Sequence, residues 1–476
     1  MKKEDLFELL SDIDEKSVQE AQDFSVKKTP LWKGWGIYGA LAAMIVLAVL
    51  IMPLFGKRGQ QGQTAGVKTV LAAAPEAVGE GMSSADFVYS DAYQKWSTEQ
   101  AAVREKASAV SGNTLAYCSA LMQQVLASPD KNTVCSPLNT YFALAMLAET
   151  CDGNSRKQIL DMLGAADIEN LREAVSALWN ANCVETPLVT SLLADSLWLD
   201  SSVEFKETTL QTLADIYHAS SFRGKTGSGE MDKALQDWTN DATGGLLADY
   251  VRDLTLDPAT VMALMSTLYY KTEWYEAFDK ANTVPMTFHG AKGDTTVQMM
   301  KKDVGSYVQT DSFTAVGLSL KGGNMYFYLP QEGVSVNALL SDPDVLKSVS
   351  SDGAGLWTYA DINLLLPRFK VSAKTDLIPT LEALGATDVL NPARADFSPL
   401  TKDPMGLYVG KVEHAAMVEI DEEGVTGAAY TLIALYTGIH DPKPEFDLVF
   451  DRPFLFMVTS ADGSILFTGV VRNITE

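Results

Sequence analysis

From Gly34 to Gly56 the chain carries 23 consecutive uncharged residues, and WGIYGALAAMIVLAVLIMPLF places apolar side chains on every helical face. At 1.5 Å per residue such a helix is about 34 Å long, enough to cross a hydrocarbon layer of about 30 Å with some tilt. A cleaved leader is disfavoured, because the apolar run is longer than an ordinary leader core and lies behind an acid-rich head. The expectation is a membrane span at 34–56, which divides the 476 residues into a short head and a long remainder. Lysines 2, 3, 16, 27, 28 and 33 before the span, against Lys57, Arg58 and Lys68 after it, place residues 1–33 in the cytoplasm and the rest outside. Trp32 and Trp35 sit where interfacial aromatics belong.

Charge then limits the partners. The chain has 37 Lys and Arg against 61 Asp and Glu, and the head accounts for only two of the 24 excess negative charges. An exported part this acidic does not suit a nucleic-acid partner or an anionic lipid surface, both of which recruit clustered Lys and Arg. With 47% hydrophobic residues it can bury a large core. In the head, Leu6, Phe7, Leu10, Ile13 and Val18 recur at near-helical spacing; they read either as an amphipathic helix docking a cytoplasmic partner or as a frayed tail. Residues 57–110 read as a flexible linker ending in a polar helix from about Asp86 to Ala109, and 111–476 as one large domain.

Catalytic signatures are missing. The four histidines, His218, His289, His414 and His440, form no H-E-x-x-H pair, and Cys118, Cys135, Cys151 and Cys183 have neither zinc nor redox spacing. No cofactor or metal is implied. ASSFRGKT at 219–226 loosely matches a phosphate loop, but helical period before it and Gly/Ser loop after it argue for coincidence. Local patterns give helices at 115–126 and 136–150, the second capped by Ser136 with Pro137 in its first turn, and a helix over 231–243 stopped by Gly244 and Gly245. Strands are expected at 191–200, 261–274, 324–330 and 362–373, and a C-terminal hairpin turns through Ala461-Asp462-Gly463. The fold class is α+β with long antiparallel strands.

Seven segments in order, at 132–160, 192–200, 235–251, 269–290, 366–400, 407–429 and 451–471, resemble signatures of the serpin family, from about Leu115 to the C-terminus. The resemblance implies three β-sheets, a helical cap and an exposed reactive-centre loop. It also implies that the chain is not an enzyme but a suicide substrate, which traps a serine protease as a covalent acyl complex while the cleaved loop inserts as a new strand. On this resemblance Glu422, Glu423, Gly424, Val425, Thr426, Gly427, Ala428 and Ala429 are the hinge, and the reactive bond counts to Gly438-Ile439 within a window of Tyr436, Thr437, His440 and Asp441. No Pro or charge interrupts Val425 to Ile439 before His440, and Val425, Gly427 and Ala429 share one strand face. Lacking Lys or Arg, the window suits proteases of chymotrypsin, subtilisin or elastase character.

Ser136, Asn139, Ser266, Trp274 and His414 would form a sheet-opening cluster. The usual pattern carries Ser where this chain has Asn139 and Asn where it has Ser266, so an exchanged Asn–Ser hydrogen bond is one expectation and unrelated polar positions another. The alternative function is a non-inhibitory serpin-fold binding module.

Overall fold

The structure is a computed structural model that describes residues 67–72, 75–404, 406–425 and 445–474. The strands are β1 (Lys68–Val70), β2 (Thr133–Cys135), β3 (Val184–Glu185), β4 (Val189–Asp200), β5 (Ala219–Gly224), β6 (Met262–Glu273), β7 (Val284–Gly290), β8 (Gly293–Gln309) and β9 (Phe313–Leu320). They continue with β10 (Gly323–Pro330), β11 (Trp357–Pro367), β12 (Phe369–Asp376), β13 (Glu413–Ile420), β14 (Gly424–Val425), β15 (Glu445–Val449), β16 (Phe454–Ser460) and β17 (Ile465–Val471). Helices that matter below are α1 (Ser84–Val88), α2 (Asp91–Val125), α3 (Pro137–Thr150), α4 (Gly153–Leu163), α5 (Ile168–Asn182), α6 (Glu207–Tyr217) and α7 (Gly229–Ala242).

One sheet runs β1-β5-β4-β6-β14-β13-β12 with β3 beside β4, and the other runs β15-β11-β8-β9-β10-β16-β17-β2 with β7 beside β8. The expected three sheets are therefore two by hydrogen bonding. The cause is β8, whose body pairs with β7 and β11 while its last residues, Val308 and Gln309, pair with Ala315 and Thr314 of β9. This splices two smaller sheets into one.

The main core includes inward residues of both sheets and of helices α2 to α6, with Phe142, Leu197, Phe327, Phe454 and Phe456 among its largest buried members. On the far face of the first sheet, Trp198 and Phe222 stack at 4.1 Å and Trp238 of α7 meets them edge-on. The alternation of β4 explains both layers: Leu193 and Leu197 enter the main core and Trp198 the outer one, as a strand buried on two faces requires. α7 ends where expected, because Gly244 and Gly245 take φ of 59° and 76° and a Cβ on Gly244 would strike the Tyr269 ring at 2.7 Å. The stretch ASSFRG is β5, parallel to β4, so the phosphate-loop likeness falls in a ladder strand.

The boundary at 110/111 falls inside a single helix. α2 runs 35 residues from its Ser90 cap, whose side chain accepts from the Tyr93 amide; no Pro interrupts it, and Trp96, Ala107, Ser111, Cys118 and Met122 are buried along it. Nor is the preceding stretch all linker. β1 adds a strand to β5, and Phe87, Trp96 and Val184 form a small separate cluster. Three-residue β1 and five-residue α1 are too short to show a period in the sequence. All four cysteines are free thiols.

Candidate functional site

Among the described residues the first sheet is continuous between β6 and β13 only through a two-residue strand. β6 pairs with β4 along its whole length, β13 pairs with β12 along its own, and among the described residues β6 and β13 share no ladder; only two-residue β14 lies between them, antiparallel to both. Because β14 pairs on both sides, β6 and β13 stand about two strand spacings apart there, roughly 9.6 Å. Below β14 this central strand of a covered sheet is half-buried over most of its length, with Leu264, Ser266 and Leu268 all short of full burial. Among the described residues a seam, one strand wide at β14, thus separates β6 from β13.

The upper end of the seam is a clasp built on the turn from β13 into β14. The Asp421 amide bonds the Gly424 carbonyl at 3.2 Å, while the Asp421 carboxylate accepts from the amides of Glu423 at 2.8 Å and Gly424 at 3.1 Å. Trp274, buried, donates its indole N–H to the Asp421 carbonyl at 2.8 Å and its amide to the Glu423 carbonyl at 3.0 Å. Gly424 is needed for close approach, since a Cβ there would lie 2.4 Å from the Thr272 carbonyl of β6. Val425, 3% exposed, is the last described residue before 426–444 and already sits in the main core.

Glu422 anchors the clasp from below. Its buried carboxylate accepts from Arg368 Nε at 2.8 Å, from Arg368 Nη2 and from the Thr283 hydroxyl at 2.5 Å. Burial pushes its pKa up, but the Arg368 and Thr283 hydrogen bonds prevail and hold it below the usual carboxylate range. Beside it Glu423 pairs with Lys280. Arg368→Ala leaves the Glu422 charge buried and without its cation; it is expected to destabilise the native chain by about 3 kcal/mol, measured as a drop in the urea midpoint at pH 7.

At the other end of β13, three of the five cluster residues meet. The Ser136 amide donates to His414 Nε2 at 3.0 Å, and Ser136 Oγ accepts from the Asn139 amide at 3.3 Å, capping α3. Nε2 is therefore the unprotonated nitrogen, and burial lowers the His414 pKa to about 4, which keeps the ring neutral. Ser266 does not join them. Its hydroxyl lies near the Asp195 carboxyl and makes no hydrogen bond of ordinary geometry, so the exchanged Asn139–Ser266 bond is not made. In register Ser266 lies opposite Asp195 of β4, on the core side of the sheet. Trp274 belongs to the clasp instead.

Asp195 was not legible as a site residue. It is 1% exposed, and neither carboxyl oxygen has a hydrogen bond of ordinary geometry. Burial raises its pKa to about 8, and the nearby Ser266 hydroxyl offsets this only in part. The signal existed in LLADSLWLD, where Asp195 shares parity with core-facing Leu193 and Leu197. Thr426 to Ala429 of the hinge and the window Tyr436, Thr437, Gly438, Ile439, His440 and Asp441 lie outside the described residues.

Among the described residues, the mixed sheet thus has the chain seated between β6 and β13 by two paired residues. Residues 113–474 match the serpin (serine protease inhibitor) family model, and the chain belongs to that family. It is therefore grouped with protease inhibitors rather than enzymes. It is 27% identical to plasminogen activator inhibitor 1 of Bos taurus over 378 residues, covering 74% of this chain and 89% of that one. It is 29% identical to the plasma serine protease inhibitor of Mus musculus over 356 residues, covering 73% and 86%. The fold matches the native state of a thermophilic serpin, tengpin, with a TM-score of 0.67 at 22% identity, over 85% of this chain and all of that one.

Proposed function

We propose that this chain is a membrane-tethered suicide inhibitor of extracellular serine proteases, in which cleavage between residues 436 and 441 lets the hinge-side segment insert between β6 and β13. The observation that carries this is the seam: two strands held apart, with β14 at its mouth leading directly into the segment to be cut. Each inserted residue would complete ladders on both sides of the gap, and each hydrogen bond contributes about 1 kcal/mol net. Val425, Gly427 and Ala429 share the parity of buried Val425, so the face entering the core begins with small uncharged side chains. The Tyr436–Asp441 window points to a target with an apolar or shallow primary pocket, of chymotrypsin, subtilisin or elastase character. Incubation with such proteases followed by denaturing electrophoresis tests the reading: a covalent complex supports it, and clean cleavage without one assigns the chain to non-inhibitory binding.

Tethering rests on the uncharged run 34–56, which lies outside the described residues; among the described residues no helix is long and apolar enough to cross a membrane. The head, residues 1–33, is then cytoplasmic and available to a partner there. Protease added to intact cells is expected to release the folded domain by cutting between Lys57 and Ala65, because from Val67 onward the backbone is held against β5. Retention of the whole chain on the cell after this treatment would place the domain on the other side of the membrane.

A further inference from the structure

Residues 67–112 precede the stretch that the family model matches, and the first part of them lies along the edge of the first sheet. β1 pairs with β5 through Lys68 with Arg223, Thr69 with Phe222 and Val70 with Ser221, and the Ala72 amide bonds the Ser220 hydroxyl at 3.0 Å. Val67 is buried in the outer aromatic layer of Trp198, Phe222 and Trp238. Further along, the Val78 amide donates to the Glu185 carbonyl at 2.9 Å, and the Ser84 hydroxyl donates to the Pro187 carbonyl at 2.7 Å, both where β3 turns into β4. Gly79, at φ 76°, is needed where the chain passes over Phe87, because a Cβ there would strike the ring at 2.4 Å. Phe87 itself is fully buried against Trp96 of α2 and Val184 of β3, in a cluster separate from the main core.

This strap joins two parts of the molecule that the seam separates. At one end are β3, β4 and β5, the strands that carry β6. At the other is α2, whose Ser108 and Ser111 hydroxyls bond the Asp462 carbonyl of the β16–β17 hairpin at 2.8 and 3.1 Å and whose last turns enter the main core. β12 and β13 lie against β2, the strand of the second sheet that follows α2 in the chain. The strap therefore ties the β6 side of the sheet to the β13 side without crossing the seam. An added strand widens a sheet by about 4.8 Å, so taking up a segment between β6 and β13 shifts β3, β4 and β5 relative to α2 and strains the contacts at one end of the strap. We propose that the strap, residues 67–72 and 75–90, is a brace that resists widening of the first sheet and so holds the uncut chain in its inhibitory form, a role that rests on the insertion reading above. Three-residue β1 is exposed along its whole length, so the brace is weak enough to yield once cleavage frees a full strand to form its hydrogen bonds.

The test compares the full chain with Phe87→Ala and Val67→Asp, which release opposite ends of the strap and alter no residue of the main core. Hydrogen exchange in the uncut protein is the first readout. Amides of β6 and β13 should exchange about tenfold faster in either variant, while those of β16 and β17 keep the parent's rates and serve as the internal reference. On prolonged incubation without protease, both variants should also lose trapping capacity sooner than the parent and convert to a form that melts higher. Faster exchange confined to β1, β5 and α1 would overturn the proposal, because the strap would then stabilise only its own edge. Faster exchange throughout, β16 and β17 included, would overturn it as well by revealing a general loss of stability. A parent that traps no protease counts against the insertion reading, whereas the exchange pattern decides the brace by itself.

Discussion

Cutting the chain within residues 436–441 is expected to make it more stable. An ordinary domain loses stability when nicked, because the unfolded ensemble gains freedom and the native state gains nothing. Here, among the described residues, only two-residue β14 lies between β6 and β13. A released segment of about a dozen residues could pair on both sides, and at roughly 1 kcal/mol per hydrogen bond the gain is on the order of 10 kcal/mol before side-chain burial. For a domain of this size that corresponds to a rise in thermal midpoint of about 10 °C or more. Calorimetry of intact and nicked protein reads the difference. A nicked chain that melts at or below the intact one would mean that the seam does not accept the segment.

The second large effect concerns Asp195. Its pKa in the native state is about 8, against about 3.9 for an unfolded aspartate. Between those values the native form holds a proton that the unfolded form has released, so Asp195 makes the native form less stable as pH rises, by about 1.4 kcal/mol per pH unit, until it ionises. The contribution is fully present below pH 4 and exhausted above about pH 8. His414 acts in the opposite sense: with its pKa lowered to about 4, its contribution is present above about pH 6.5 and is lost as pH falls toward 4. Between those two values the pair therefore cancels, each state holding one proton, on Asp195 when folded and on His414 when unfolded. Asp195→Asn removes one half of this balance. The variant should gain on its parent steadily from pH 4 to pH 8 and no further beyond, read as the difference in urea midpoints. A difference independent of pH would show that Asp195 is ionised in the native state and hydrogen-bonded in a way the geometry does not reveal.

What could be read in advance follows the range of the interactions involved. The Ser136 cap, the glycine stop after α7 and the hairpin through Asp462 and Gly463 are local, set by residues within a few positions of each other. The hinge is an expectation from the resemblance and from the small uncharged run Gly424 to Ala429, of which Thr426 to Ala429 lie outside the described residues. The gap between β6 and β13 among the described residues was not legible, since strand separation is a property of two segments about 150 positions apart and leaves no mark on either pattern. The Asn139–Ser266 bond failed for a related reason: side-chain type suggested a partner, but the β4–β6 register turns Ser266 toward Asp195. β1 was missed because it depends on contacts with distant backbone, at Ser221 to Arg223.

Trapping itself is the most direct test of the account. Parent protein and Ala429→Arg are each incubated with chymotrypsin, subtilisin and elastase and resolved by denaturing electrophoresis. Residue 429 shares strand parity with buried Val425, so an arginine there would enter the core as an unpaired charge once insertion reached it. The predicted result is a covalent complex with at least one protease for the parent, and for Ala429→Arg cleavage at the same bond with no complex. A parent that is cut cleanly by all three and retains none, or an Ala429→Arg variant that traps protease as well as its parent, would contradict insertion as the source of inhibition.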